Sequence, residues 1–144
     1  MEYESFDEKE TFAIGEEIGK NCKPGEVYAL LGDLGVGKTV FTKGFAKGIG
    51  ITESVNSPTF TIVQIYEQGS VPLYHFDVYR IADPEEMDEI GYEDYFFGEG
   101  VCLVEWANLI DELMPQETKW ITIEKNLEKG FSYRKISIDC KKQQ

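Results

Sequence analysis

Residues 32–39 constrain the fold of this chain more than any other segment, because they read GDLGVGKT and fit the pattern G-x-x-x-x-G-K-[ST]. The apolar run Val27–Leu31 before them predicts a buried strand, and residues 40–49 after them are compatible with a helix. In such a strand–loop–helix unit, glycines let successive backbone N–H groups converge on phosphate oxygens, and the helix N-terminus adds the positive end of its dipole. The pattern therefore predicts a phosphate-binding loop (P-loop); the alternative is an ordinary glycine-rich turn.

The side chains at the end of this loop suit a nucleoside triphosphate and its magnesium ion. Lys38 is expected to reach the β- and γ-phosphates, and the hydroxyl of Thr39 is expected to bind Mg²⁺. The chain contains no N-K-x-D segment of the kind that reads guanine, so a regulatory GTPase is not supported. The loop residues expected to bind the nucleotide are Leu34, Gly35, Val36, Gly37, Lys38 and Thr39.

Length and composition indicate one packed domain over residues 1–144, with 42% hydrophobic and 13% aromatic residues. No apolar stretch approaches the length of a membrane span, and the acidic N-terminus does not fit a secretory signal, so a cytoplasmic protein is expected. The three cysteines lie far apart in sequence and outside any C-x-x-C, which favours reduced thiols over a disulfide framework or a zinc site.

The formal net charge of −13 bears on the choice of partner. A surface of this sign repels nucleic-acid backbones, so a direct, self-sufficient grip on DNA or RNA is not expected. Local basic spots remain at Lys43 and Lys47, at residues 134–135 and at residues 141–142. A solvated helix face and a charged tail are the favoured interpretations of these spots, and docking of a partner is the alternative.

Helical and strand patterns alternate along the chain and predict an α/β fold of three layers, like that of P-loop NTPases, with a mixed sheet. The sheet is expected to have a parallel core plus antiparallel strands, because a hairpin pattern follows the loop helix. Predicted helices cover residues 6–21, with Ser5 and Glu8 in capping-box register, and residues 84–90, with Asp83 as N-cap. Predicted strands after the loop helix are residues 59–66, 73–79, 101–104, 120–124 and 135–139.

Two acidic residues are candidates for metal binding and hydrolysis. Glu105 directly follows four apolar strand residues, the position of a Walker B acid, and Asp77 lies in the segment HFDVYR at residues 75–80. The carboxyl ends of parallel strands meet at one edge of a sheet, which would bring both carboxylates to the P-loop. His75 is interpreted as a hydrogen-bonded core or edge residue, while Arg80 and Arg134 fit either arginine fingers or, more simply, surface ion pairs.

These segments together resemble the bacterial TsaE (YjeE) family, the ATPases of tRNA threonylcarbamoyladenosine biosynthesis. The resemblance covers essentially the whole chain in the family's order, with small departures at Val36, where Ala is usual, and Val40, where a second Thr is common. It rests on GDLGVGKT at 32–39, NSPTFT at 56–61, HFDVYR at 75–80 and LVEW at 103–106, with Ser5, Glu10, Thr11, Gly15, Ile90, Gly91, Tyr92 and Tyr95.

The resemblance implies roles for individual residues. It implies that Thr39, Glu105 and Asp77 serve the metal, that Lys38 binds phosphate, and that Glu105, Asp77 and Lys38 carry catalysis. Residues 57–59, Ser-Pro-Thr, would form a switch-like segment in which Thr59 meets the nucleotide. The adenine would lie near Thr11, and Arg134 would approach the nucleotide.

The resemblance further implies ATP and Mg²⁺ as cofactors and the TsaD–TsaB complex as partner. That complex transfers a threonylcarbamoyl group to the adenosine beside the anticodon, and ATP hydrolysis would reset it between cycles, with tRNA met only indirectly. We expect a weak ATPase that works fully only with its partners bound, since no arginine finger is obvious in the chain. The alternatives are a small-molecule P-loop kinase and a nucleotide-gated binding module that does not hydrolyse; Glu105 disfavours the latter.

Overall fold

The computed structural model of the protein describes residues 1–33, 35–56, 58 and 61–140. Seven strands and four α-helices lie within these ranges. In chain order they are β1 (Glu2–Ser5), α1 (Glu8–Lys20), β2 (Val27–Leu31), α2 (Lys38–Ile49), β3 (Val63–Tyr66), β4 (Leu73–Asp77), α3 (Glu86–Glu89), α4 (Tyr92–Phe96), β5 (Val101–Glu105), β6 (Lys119–Lys125) and β7 (Arg134–Asp139). Two 3₁₀ segments, Ala107–Leu113 and Leu127–Lys129, complete the elements of the described chain.

The strands form one mixed sheet in the order β1-β7-β6-β2-β5-β4-β3. The four central strands, β6, β2, β5 and β4, run parallel, while β3 at one edge and β7 and β1 at the other are antiparallel to their neighbours. The predicted mixed α/β sheet is therefore confirmed. Its parallel core brings the carboxyl ends of β2, β4, β5 and β6 to one edge, where ligands bind in sheets of this type.

Helices cover both faces of the sheet and make three layers. α1 and α2 lie over one face, where the core includes Leu30, Phe41, Phe45, Leu103 and Ile121. α3, α4 and the segment Ala107–Leu113 lie over the other, where the core includes Ala29, Phe76, Met87, Phe96, Val104 and Ile110. β5 is buried along its whole length because both faces are covered, which explains why its sequence VCLVE is a continuous apolar run ending in one acid.

α1 and α2 pack against each other at backbone distance. Gly15 and Gly19 of α1, and Gly44 and Gly48 of α2, leave room for the partner helix; a Cβ on Gly44 would lie 2.1 Å from the carbonyl oxygen of Phe12. This packing fixes the helix that begins at Lys38, and so positions the end of the P-loop.

Several local predictions need correction. The cap of α1 is Asp7, whose carboxylate accepts from the Glu10 N–H, while Glu10 accepts from the Phe6 N–H; Ser5 and Glu8 are not the capping pair. β4 ends at Asp77 and a turn follows, so the strand does not continue to residue 79. The β3–β4 hairpin is confirmed, although Thr59 and Phe60 lie outside the described residues. In the described part of the chain, no helix is long and apolar enough to cross a membrane.

Candidate nucleotide-binding site

The P-loop connects β2 to α2 and contains two glycines in the left-handed region. Gly35 has φ +76° and Gly37, immediately before α2, has φ +110°, conformations that other residues adopt only with strain. A Cβ on Gly35 would meet no described atom within 4 Å, so the backbone is open to a ligand there. Leu34, predicted to bind the nucleotide, lies outside the described residues.

Lys38 is the buried cation of this loop. Its side chain is only 7% exposed, and Nζ donates to the carbonyl oxygen of Gly32 at 2.7 Å. The ammonium group also lies 3.9 Å from the ring centre of Trp106, a cation–π contact. Burial lowers the pKa of Lys38, and the carboxylates of Glu105, Asp77 and Asp33 oppose that shift. The site therefore contains a desolvated positive charge surrounded by acids.

The two candidate acids lie side by side at the ends of adjacent parallel strands. Asp77 of β4 is in register with Glu105 of β5, which is in turn in register with Leu30 of β2. Register partners in neighbouring strands present their side chains to the same face of a sheet. Since Leu30 belongs to the core beneath α1 and α2, both carboxylates are on the α2 side, next to the P-loop. The sequence predicted this meeting of Asp77 and Glu105 at one edge.

Glu105 is held by a buried histidine. The carboxylate, 4% exposed, has Oε2 2.7 Å from Nε2 of His75, which is 1% exposed. Nδ1 of His75 is buried and has no hydrogen-bond partner among the described residues. Because a buried N–H without an acceptor is costly, this arrangement favours the tautomer with its hydrogen on Nε2, donating to Glu105. His75 is thus a hydrogen-bonded core residue, as predicted, and its partner is a candidate site residue.

Asp77 is only half-buried, but burial raises the pKa of its carboxyl above the ordinary value. The backbone N–H of Tyr79 donates to Oδ1 at 3.0 Å and works against this shift, while the nearby Glu105 carboxylate reinforces it. A titratable group perturbed by desolvation and by a like charge, beside an open glycine loop, is typical of a functional site.

Trp106 also belongs to this site, although the sequence indicated it only as part of the family motif LVEW. It has φ +63° and ψ +30°, the one left-handed residue other than glycine in the described chain. That conformation costs about 1–3 kcal/mol and turns the ring onto Lys38 and Tyr79, whose ring centre is 4.7 Å away. A cavity of about 320 Å³ opens here, lined by Leu30, Leu31, Gly32, Asp33, Lys38, Trp106 and Asn108.

Arg134, at the start of β7, contacts the P-loop from the other side. Its Nε donates to the carbonyl oxygen of Val36 at 2.7 Å, and Nη1 donates to the carbonyl oxygens of Tyr133 and Phe131 at 2.7 and 3.1 Å. The alternative of a surface ion pair is wrong for Arg134 within the described residues, since its partners are backbone carbonyls.

Two further predicted residues, Thr39 and Thr11, lie at the margins of the site. Thr39 is in the first turn of α2 and exposed. Thr11 is 3% exposed and its hydroxyl is 2.7 Å from that of Ser5, which donates to the Asp7 carbonyl, so Thr11 is the donor to Ser5. A methyl of Thr11 lies near Gly37. Of the switch-like segment, Ser57 and Thr59 lie outside the described residues.

A strand–loop–helix unit of this conformation, in the parallel core of a three-layer mixed sheet, defines the chain as a P-loop α/β protein. Comparison with known proteins specifies the family: the family described as threonylcarbamoyl adenosine biosynthesis protein TsaE matches residues 5–136. The chain belongs to the TsaE family, whose role lies in tRNA threonylcarbamoyladenosine biosynthesis.

Individual relatives agree with this assignment. The chain is 53% identical over 125 residues to the tRNA threonylcarbamoyladenosine biosynthesis protein TsaE of Bacillus subtilis, covering 87% of this chain and 78% of that protein. It is 40% identical over 115 residues to the protein of the same name from Treponema pallidum, covering 80% and 84%. The crystal structure of Bacillus subtilis YdiB superposes with a TM-score of 0.82 at 46% identity, covering 96% of this chain and 83% of that one.

Proposed function

We propose that this protein is a cytoplasmic, Mg²⁺-dependent ATPase that supports tRNA threonylcarbamoyladenosine modification by binding the TsaD–TsaB complex and resetting it between cycles. The observation that carries the proposal is the register of Asp77 with Glu105, on the α2 side of the sheet. Two carboxylates next to a P-loop supply the oxygen ligands that a phosphate-bound Mg²⁺ takes.

The described residues fit ATP and Mg²⁺ by their chemistry. Lys38 is a desolvated cation whose contacts, a carbonyl oxygen and an aromatic ring, are ones that a phosphate could replace. The carboxylates of Glu105 and Asp77 and the hydroxyl of Thr39 offer hard oxygen donors, the kind of ligand that Mg²⁺ prefers. Within the described chain, no group of three His, Cys, Asp or Glu side chains is clustered to hold a metal ion. When bound, the metal ion would neutralise charge on the phosphates.

Each side chain then has a distinct task. Lys38 would bind the β- and γ-phosphates, and the glycine backbone would donate its N–H groups to them. Glu105 would hold the metal or orient the attacking water, with His75 keeping its carboxylate in one rotamer. Asp77 would assist at the metal. Trp106 would exclude water from the Lys38 side of the phosphate cradle, the space between the P-loop backbone and the Lys38 side chain. Exclusion of water strengthens charge interactions there.

The partner half of the proposal is supported by family membership and by the charge of the chain. With 27 acidic and 14 basic residues, the protein is poorly suited to grip tRNA by itself, so an action through other proteins fits better. A weak basal rate of ATP hydrolysis is expected because the described residues offer no evident arginine finger. Arg134 is bound by carbonyl oxygens, and Arg80 lies in the exposed turn after β4.

The test measures ATP hydrolysis with and without the TsaD–TsaB complex, for wild type and for Glu105→Gln. Glutamine keeps the size of the side chain and an oxygen for His75 while it removes the charge. We expect the complex to raise the wild-type rate, and the substitution to lower kcat by about a hundredfold or more with ATP still bound. Glu99→Gln, an exposed residue before β5, is the matched control and should leave the rate unchanged.

Other outcomes would overturn the proposal in specific ways. Full activity without the complex would remove the partner's role, and an unchanged rate in Glu105→Gln would remove the assigned acid. Turnover that depends on a small acceptor molecule would instead indicate a kinase. ATP binding without hydrolysis, even with the complex present, would indicate a nucleotide-gated binding module.

A further inference from the structure

Arg134 joins the far edge of the sheet to the P-loop through the backbone of Val36. Its Nε–H donates to the Val36 carbonyl oxygen at 2.7 Å, although the two residues are 98 positions apart in sequence. The guanidinium is itself held by Tyr133 and Phe131, whose carbonyl oxygens accept from Nη1. Because the planar guanidinium group is bound at several points, Arg134 has little freedom to turn toward another ligand.

The bonded carbonyl belongs to the peptide that ends in the Gly37 N–H. No described peptide is cis, so the Val36–Gly37 unit is trans and its N–H points opposite to its C=O. The C=O is directed at Arg134, and the N–H is therefore directed away from it. Among the described residues, no acceptor takes this N–H, and Gly37 has the left-handed backbone that begins α2.

We propose that Arg134 is a positioning residue, which orients the Val36–Gly37 peptide so that the Gly37 N–H points into the phosphate cradle. A charge-assisted bond on the carbonyl also polarises the peptide and makes its N–H a stronger donor. Arg134 thus serves phosphate binding, which rests on the proposed ATP-binding function, without touching the phosphates. The role differs from that of an arginine finger, which would contact the γ-phosphate.

The first test needs no nucleotide. In ¹⁵N-labelled, nucleotide-free protein, Arg134→Lys and Arg134→Gln are expected to shift the Gly37 amide resonance, while the Gly50 amide at the other end of α2 stays in place. Lys135→Gln is the matched control, because it removes a cation from the next position of β7, and the Lys135 ammonium pairs with Glu2 at 2.8 Å. It should leave the Gly37 resonance unchanged.

The second test separates positioning from direct contact. The Kd values of Mg-ATP and Mg-ADP are expected to rise together, by about tenfold or more in Arg134→Gln and by less in Arg134→Lys. A loss confined to ATP would mean that Arg134 contacts the γ-phosphate, and an unshifted Gly37 amide in both variants would remove the orienting role; either result overturns the inference. If Arg134→Gln unfolds, Arg134→Lys decides. If wild type binds no nucleotide, the ATPase proposal fails, while the amide shift still decides the orienting role.

Discussion

Lys38 and Asp77 share one electrostatic environment. The ammonium group of Lys38 is desolvated, and burial lowers its pKa; the carboxyl of Asp77 is partly desolvated, and burial raises its pKa. Each charge is therefore held in a setting that disfavours it, which is typical of groups kept for binding rather than for stability. A bound phosphate and cation would offset both costs.

The first expectation concerns the stability cost of Asp77. The pKa of Asp77 in the folded protein is raised above the ordinary 3.8, so the folded state binds this proton more tightly than the unfolded state does. The contribution of Asp77 to the free energy of unfolding is therefore fully present below about pH 3.8 and is lost as pH rises through the folded pKa. Asp77→Asn should therefore raise Tm at pH 7 by about 2 °C, and the gain should shrink toward zero as pH falls to about 4. Thermal unfolding followed by circular dichroism across this range measures the effect.

Asp88→Asn provides the control, since Asp88 is an exposed carboxylate on α3. A gain in Asp77→Asn that stays constant with pH, or a loss at pH 7, would contradict the assigned burial of the Asp77 charge.

At this scale the sequence predicted residue types better than their partners. Glu105 and Asp77 were found because each follows or sits within a strand pattern, and parallel strands share an edge. The partner of His75 could not be found, since a single histidine in a strand does not say which neighbouring strand it meets. The hydrogen bond between Arg134 and Val36 depends on the register of β7 in the sheet, which no local sequence pattern encodes.

The α1–α2 pair illustrates the scale of elements. Gly15, Gly19, Gly44 and Gly48 let two backbones approach so closely that any Cβ there would meet backbone atoms, which cannot rotate away as a side chain does. Since α2 starts at Lys38, the pair also fixes the direction in which the P-loop ends. Helix packing and phosphate binding are thus coupled through one element.

Gly44→Ala tests this packing. In an exposed helix the change would stabilise by up to about 1 kcal/mol, but here the new Cβ would lie 2.1 Å from the Phe12 carbonyl oxygen. We expect a loss of roughly 2 kcal/mol and a fall in Tm of about 5 °C, measured by urea and thermal denaturation. Lys43→Ala, on the exposed side of the same helix, should change little. A stabilised Gly44→Ala would show that the helices lie farther apart.

Elements with strong periodic patterns were predicted from sequence, and so was a helix at residues 84–90 that overlaps the short α3, but β1 and α4 were not. β5 and β2 are apolar runs, and α1 and α2 were recognised with boundaries within two residues. β1 has the sequence EYES and buries only Ser5, so nothing in its pattern distinguishes it from a polar tail. α4 has five residues, too few for a helical period, and it depends on tertiary contacts such as the packing of Phe96 against Phe76.

The whole molecule carries a charge of −13 at pH 7, and its sequence pI is about 4.4. Like charges over the surface repel one another in the folded state and are farther apart in the unfolded one. Raising the salt concentration from about 10 to 200 mM shortens the Debye length from about 30 Å to less than 10 Å and should raise Tm at pH 7. The same change near pH 4.4 should have little effect, because the net charge there is close to zero.

Differential scanning calorimetry at the two pH values checks this expectation. A lower Tm in salt at pH 7 would mean that local ion pairs, such as Lys119–Glu26, outweigh the general repulsion.

The pairing of β1 with β7 has a consequence for biosynthesis. Residues 2–5 are made well before residues 134–137, so their strand has no neighbour in the sheet until that later segment has been synthesised. The same late strand delivers Arg134 to the P-loop. During translation, therefore, the P-loop lacks its contact with Arg134, and β1 stays unpaired, until β7 has been made. Synthesis of one strand completes both the sheet and the P-loop.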